Sequence, residues 1–204
     1  MFLVVPSAVA FIAIGGPIIA LLFQTGKFDA NDTRVVWIIL AGSAVGLSAN
    51  TQSRLLGSAF YALGDPKSPL HAALVRVAVT GVLGYLFALP IRDWLGYSSA
   101  WGAFGLTASA GFAAWIEFVL LERWLSRRIG KVALPTRLGI GALAAAAVAG
   151  AAGYGAAHAV TVLGIPPRLT ALAAVPAFGL VYLGIMAAAR VPEVAGFTRR
   201  LRRR

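Results

Sequence analysis

The sequence predicts an all-α fold, a polytopic transmembrane helical bundle with six membrane-spanning helices, and three observations carry that expectation. Of 204 residues, 59% are hydrophobic and 12% charged, about half the 25% charged residues usual in soluble domains. The mean hydropathy is +0.83. The apolar residues gather in six runs, residues 2–23, 35–62, 70–90, 101–121, 138–163 and 169–189. Each matches the roughly 20 helical residues that a hydrocarbon core of about 30 Å requires. Backbone groups in lipid must be satisfied within the chain, which favours helices. The period-2 alternation of a membrane barrel is absent.

The first run starts directly at Met1, with no charged residue before it. A signal peptide would carry a basic leader, so the expectation is a chain that begins inside a helix of a longer protein. In GKFDANDTR, residues 26–34, Gly26 stops the first helix and Asp32 or Thr33 is placed to cap the second. In GDPKSP, residues 64–69, the prolines cannot continue the incoming helix, and Ser68-Pro69 suits the start of the next. The fourth run leads into WLSRRIGKVALPTR, residues 124–137, rich in basic residues. In the fifth run Gly141, Ala145, Ala149, Gly153 and Ala157 recur every four positions. Such a stripe permits close helix contact and points to a seam between the last two helices. Gly153-Tyr154-Gly155 lacks the third glycine and the preceding strand of a dinucleotide fingerprint.

The net charge is +11, yet nucleic acid is excluded as a partner, because the basic residues sit in short gaps and the tail rather than on a folded face. A basic excess flanking apolar runs suits anionic lipid instead. There is no cysteine, and the two histidines, His71 and His158, lie far apart. No metal site and no cofactor are therefore expected. Taken by alternate gaps, one side holds four basic residues, Lys27, Arg34, Arg92 and Arg168. The other holds twelve, namely Lys67, Arg123, Arg127, Arg128, Lys131, Arg137, Arg190, Arg199, Arg200, Arg202, Arg203 and Arg204. The positive-inside rule then places the GDPKSP loop and the C-terminus in the cytoplasm.

Three stretches occur in a telling order: VPSAVAFIAIGGPIIALLFQTGKF (residues 5–28), NDTR with its following helix, and RLLGSAFYALGDPKSP (residues 54–69). Together they resemble the second half of the MurJ/MviN lipid II flippases, of the multidrug/oligosaccharidyl-lipid/polysaccharide exporter superfamily. The motif residues are Phe23, Gly26 and Phe28, then Phe60, Tyr61, Ala62, Asp65 and Pro69. The resemblance implies that residues 1–125 are helices nine to twelve of a fourteen-helix transporter, and that GDPKSP joins helices ten and eleven. Residues 126–137 follow as a basic cytoplasmic loop, 138–190 as two further transmembrane helices, and 191–204 as a basic cytoplasmic tail. It further implies a multi-pass protein of the bacterial inner membrane that moves the undecaprenyl-linked peptidoglycan precursor outward by alternating access. Its partners would be that lipid-linked precursor, membrane lipid, and the missing N-terminal half of the same transporter. The chain by itself is then not expected to flip lipid.

Rival readings are another exporter of polyprenyl-linked glycans, a membrane scaffold, and a membrane enzyme acting on lipid-linked substrates. The enzyme would need clustered acids, and only Asp65, Glu117 and Glu122 lie at cytoplasmic depth, without close spacing. The expectation is therefore that the chain is not an enzyme.

Three charged residues are the candidates to face substrate or lipid. Arg54 either snorkels to the headgroups or contacts an anionic lipid phosphate. Arg76 either snorkels or lines the transport cavity. Glu117 is either paired with Arg54 or Arg76 across helices, or serves cation or proton coupling, because an unpaired intramembrane charge is costly. Asp65 reads as a turn residue bonding its own loop.

Overall fold

The computed structural model describes residues 2–88, 99–130 and 136–189. The described residues form eight α-helices in chain order: α1 Val4–Ala13, α2 Gly15–Phe23, α3 Ala30–Ala44, α4 Leu47–Ala62, α5 Lys67–Ala88, α6 Ser99–Ile129, α7 Thr136–Val162 and α8 Ala171–Ala188, with a 3-10 turn at Pro167–Leu169. Five spans are long and apolar enough to cross a membrane, six if the bent pair α1–α2 counts as one. The basic tail and part of the 126–137 loop lie outside the described residues, as do Arg92, Lys131 and Arg190, which entered the charge count.

Two of the expected spans are interrupted. Residues 2–23 break at Ile14, where α1 and α2 meet at 75°. The sequence there is Gly15-Gly16-Pro17. Pro17 has no amide hydrogen, so the carbonyl of Ala13 has no helical partner four residues on, and the proline ring disfavours a straight continuation. In the new helix Pro17 occupies the first turn, where no amide bond is needed. Nearby, Trp37 Nε1 donates to the carbonyl oxygen of Ile12 at 3.1 Å. The second span starts earlier than expected and is divided between α3 and α4 at Val45-Gly46. Its cap is neither Asp32 nor Thr33. The Asp29 carboxylate accepts the amides of Asn31 at 2.7 Å and Asp32 at 2.9 Å. The Asp32 carboxylate accepts the Asp29 amide in return, a reciprocal box at the helix start.

The chain packs as two units, Met1–Trp37 with Pro135–Arg204, and Ile38–Leu134. In the first, α7 packs against α1 and α8. Ala145, Ala149, Gly153 and Ala157 are buried as the stripe requires, but Gly141 is exposed. A Cβ on Gly153 would lie 3.1 Å from the carbonyl oxygen of Ala174 and 3.1 Å from Ile14 Cγ2. The expected seam between the last two helices is therefore real and also takes in the α1–α2 break. Tyr182 of α8 donates its hydroxyl to the carbonyl of Phe2 at 2.6 Å. The motif residues Phe23 and Phe28 face each other at 6.2 Å across a turn, with Gly26 at φ +62°. That conformation is cheap only for glycine.

In the second unit α6 packs against both α4 and α5. It runs on to Ile129, so the stretch expected as loop from residue 126 begins as helix. Arg127 and Arg128 stand in its last turn, where cations complement the helix dipole. The core joins Ala49, Leu56 and Phe60 of α4 to Ala72 of α5 and to Ala114, Phe118, Leu121 and Leu125 of α6. The closest backbone-to-backbone crossing is at the α3–α4 break, where a Cβ on Gly46 would lie 2.5 Å from Gly111 Cα, and one on Gly111 would lie 2.8 Å from the Gly46 nitrogen. Here backbone meets backbone, and neither chain has a flexible side chain to move aside. Gly111→Ala is therefore expected to destabilise the protein by about 1–3 kcal/mol, as overpacking does. Gly141→Ala, which meets open space, should leave the melting temperature in detergent unchanged. Equal melting temperatures for the two variants would contradict the close crossing.

Candidate functional site

The second unit contains a cavity of about 770 Å³ whose walls come from α4, α5 and α6. From α4 it takes Asn50, Arg54, Gly57 and Tyr61, together with Leu47, Thr51 and Ser53. The first four are spaced by four, three and four residues, one face of a helix. From α5 it takes Pro69, Ala73 and Arg76, and from α6 Glu117 and Leu121, at the same helical spacings. The three charged residues singled out from the sequence thus line one cavity.

Arg76 Nη1 donates to Glu117 Oε2 at 2.9 Å, joining α5 to α6. The Glu117 side chain is 13% exposed and that of Arg76 34%. Of the two partners proposed for Glu117 from the sequence, the pair forms with Arg76. Because α5 begins at Lys67 rather than at Leu70, Arg76 lies about two and a half turns into its helix. Arg54 is exposed on the cavity wall and makes no ion pair among the described residues. Ser53 is buried, and its hydroxyl has no hydrogen-bond partner among the described residues. Thr51 donates its hydroxyl to the carbonyl of Leu47 at 3.0 Å. The sequence reading missed Asn50, Thr51, Ser53 and Gly57. The register of Asn50 and Gly57 with Arg54 was present in the sequence, but every helical face of α4 offers one like it.

The remaining motif residues build the hairpin below the cavity. Phe60 is fully buried, while Tyr61 is exposed and lines the cavity. At the end of α4 the Gly64 amide donates to Tyr61 O and the Asp65 amide to Phe60 O, both at 3.0 Å. This is the Schellman arrangement, and Gly64 holds its required left-handed φ of +72°. Asp65, rather than Ser68, then starts α5. Its Oδ1 accepts the amides of Lys67 and Ser68 at 3.1 and 3.2 Å, and its Oδ2 accepts the Ser68 hydroxyl at 2.6 Å. Arg128 Nη2, from the end of α6, lies 2.8 Å from Asp65 Oδ2. The Ser68 hydroxyl above all, with the Ser68 and Lys67 amides and the Arg128 guanidinium, holds the Asp65 carboxyl below its ordinary value against the opposing effect of burial.

The first unit has a smaller, more apolar cavity of about 460 Å³, lined by Gly16 and Pro17 at the break, by Trp37, and by Tyr154 and His158 of α7. Among the described residues no three of His, Cys, Asp and Glu gather to hold a metal ion.

Apolar helices of membrane length, two of them broken, with an ion pair in the wall of a cavity between three of them, define a multi-pass membrane protein. The family model described as lipid II flippase MurJ matches residues 1–174, and the chain belongs to that family. The chain is 33% identical over 128 residues to the probable lipid II flippase MurJ of Rhizobium tropici, covering 63% of this chain and 22% of that protein. It is 34% identical over 126 residues to the lipid II flippase MurJ of Burkholderia cenocepacia, covering 62% and 22%. With the probable lipid II flippase MurJ of Bdellovibrio bacteriovorus it shares 33% identity over 127 residues, again 62% and 22%. The chain thus spans about a fifth of the length of the curated relatives it matches.

Glu117→Gln removes the partner of a charge at membrane depth. It is expected to destabilise the protein by about 1–3 kcal/mol, less than the 3–5 kcal/mol of a fully buried pair because Arg76 is partly exposed. Glu122→Gln, further toward the basic end of α6, should cost less in the same thermal assay. For Asp65 the depressed carboxyl makes a signed expectation. Its stabilisation is present above about pH 4, the unfolded value, and is lost as pH falls through the lower folded value. Asp65→Asn should therefore lower the melting temperature at neutral pH and flatten its decline in acid.

Proposed function

We propose that the protein acts in moving a polyprenyl-linked peptidoglycan precursor, lipid II, from the inner to the outer leaflet of the bacterial inner membrane, as a transporter and not as an enzyme. The observation that carries this reading is membership of the flippase family over residues 1–174. Broken membrane helices support it as well, because discontinuous helices form the substrate and ion sites of many transporters. Alternating access uses two helical lobes about a shared site. In this reading the present helices belong to one lobe, and helices outside this chain supply the other. A cytoplasmic Gly64–Asp65 hairpin and C-terminus belong to this reading and are supported by the excess of basic residues on that side.

The reading is tested by a chimera in which residues 1–174 replace the matching region of the Burkholderia cenocepacia relative, expressed in cells depleted of their own flippase. Growth and outward movement of lipid II are expected to return. A chimera that inserts at the normal level yet restores neither would refute the assignment. Orientation is read separately with a membrane-impermeant thiol reagent on intact cells. Cysteines at Lys67 and Arg127 should stay unlabelled and one at Asn31 should label, all three being exposed positions. The opposite labelling would invert the topology.

A further inference from the structure

The cavity between α4, α5 and α6 has donors in excess of acceptors for charge. Two guanidiniums and one carboxylate line it, so it carries one net positive charge. Glu117 accounts for one N–H of Arg76, and a guanidinium offers five. Arg54 has no acidic partner among the described residues. Asn50 adds a side-chain amide on the same face of α4. There is room as well, because a Cβ placed on Gly57 would meet nothing within 4 Å.

We infer that this cavity binds a phosphate group, monoester or diphosphate, with Arg54 as its principal cation. Arg76 completes the positive wall from α5, and the Asn50 amide bonds a further oxygen. A guanidinium fork matches the geometry of phosphate oxygens, and charge-assisted bonds of this kind are the strong ones. Glu117 sets the charge balance. It fixes Arg76 in the wall and holds the empty cavity at a single net positive charge. The phosphate could arrive on a polyprenyl diphosphate or on an anionic phospholipid. The inference concerns the chemistry of this cavity and stands apart from the transport reading.

The chain, purified into discs of phosphatidylcholine, is titrated with geranylgeranyl diphosphate and binding is followed by thermophoresis. Arg54→Gln is expected to weaken binding by about tenfold or more, the usual consequence of losing a charged hydrogen bond. Gly57→Leu should weaken it too, with every charge kept, because its side chain enters the cavity from a position where a Cβ meets nothing within 4 Å. Arg123→Gln, an exposed cation on α6 outside the cavity, should change nothing. Displacement by inorganic pyrophosphate would show that the free group suffices, and displacement only by phosphatidylglycerol in the disc would identify a lipid headgroup as the occupant. Either supports the site. Absence of binding to the parent chain, equal binding by Arg54→Gln and Gly57→Leu, or an equal loss in Arg123→Gln overturns it. Growth rescue by the chimera without diphosphate binding would overturn this inference and leave the transport reading standing. Binding without rescue would do the reverse.

Discussion

A peptide carbonyl that loses its helical partner in hydrocarbon has no water to replace it, and each such orphan costs several kcal/mol. That constraint shapes the chain wherever its helices break. At the α1–α2 bend Pro17 removes an amide, and the indole of Trp37 donates to the adjacent Ile12 carbonyl. At the α3–α4 break the indole of Trp115 donates to the Val45 carbonyl at 2.9 Å. Tryptophan suits both places, since it carries one donor on a large apolar body. At each break an indole thus bonds a backbone carbonyl beside the interruption. Each indole also ties the break to a distant part of its own unit, 25 residues away in one case and 70 in the other.

The same low dielectric governs the charges. An isolated ion at the centre of a membrane helix costs about 2.5–3.5 kcal/mol on insertion scales. Glu117 and Arg76 meet this cost together, one on α6 and one on α5. Arg54 meets it differently, by lining a cavity. Asp65 lies between spans, where it can be ionised, and there it joins the start of α5 to the end of α6 through Arg128. Ionic links thus tie α5 to α6 at two heights.

Much of this was legible in the sequence, for identifiable reasons. Apolar run length is a direct reading of bilayer thickness, so the membrane spans could be counted. The turns at Gly26 and Gly64 could be placed because only glycine takes their φ cheaply. The Arg76–Glu117 pair was one of two named options, since an acid at membrane depth needs a cation. The breaks were not legible as breaks. Gly-Gly-Pro within a membrane run is tolerated either straight or bent, and here the proline bend is accompanied by packing of α1 on α7 and of α2 on α8. Nothing local marks Val45-Gly46, whose interruption depends on Gly111 some 65 residues on. The sequence points to Asp32 or Thr33 as the cap of α3 because Asp29, Asn31, Asp32 and Thr33 can all compete for it, and Asp29 prevails with Asp32 reciprocating. In the cavity, Arg54 stood out by its charge. Asn50 and Ser53 did not, because polar residues near a helix end need no special explanation.

The pairing of Arg76 with Glu117 has a consequence for how the protein is made. The two lie 41 residues apart, and α6, which carries the glutamate, also builds the third wall of the cavity. At ribosomal speeds of about 5–20 residues per second, the arginine emerges roughly 2–8 s before its partner. During that interval α4 and α5 are already joined by a four-residue link, while the cation lies about two and a half turns, roughly 13 Å, from the start of α5, close to the middle of its span. An isolated charge at that depth is costly, so the α4–α5 hairpin is complete as a pair of helices only when α6 brings the carboxylate to it.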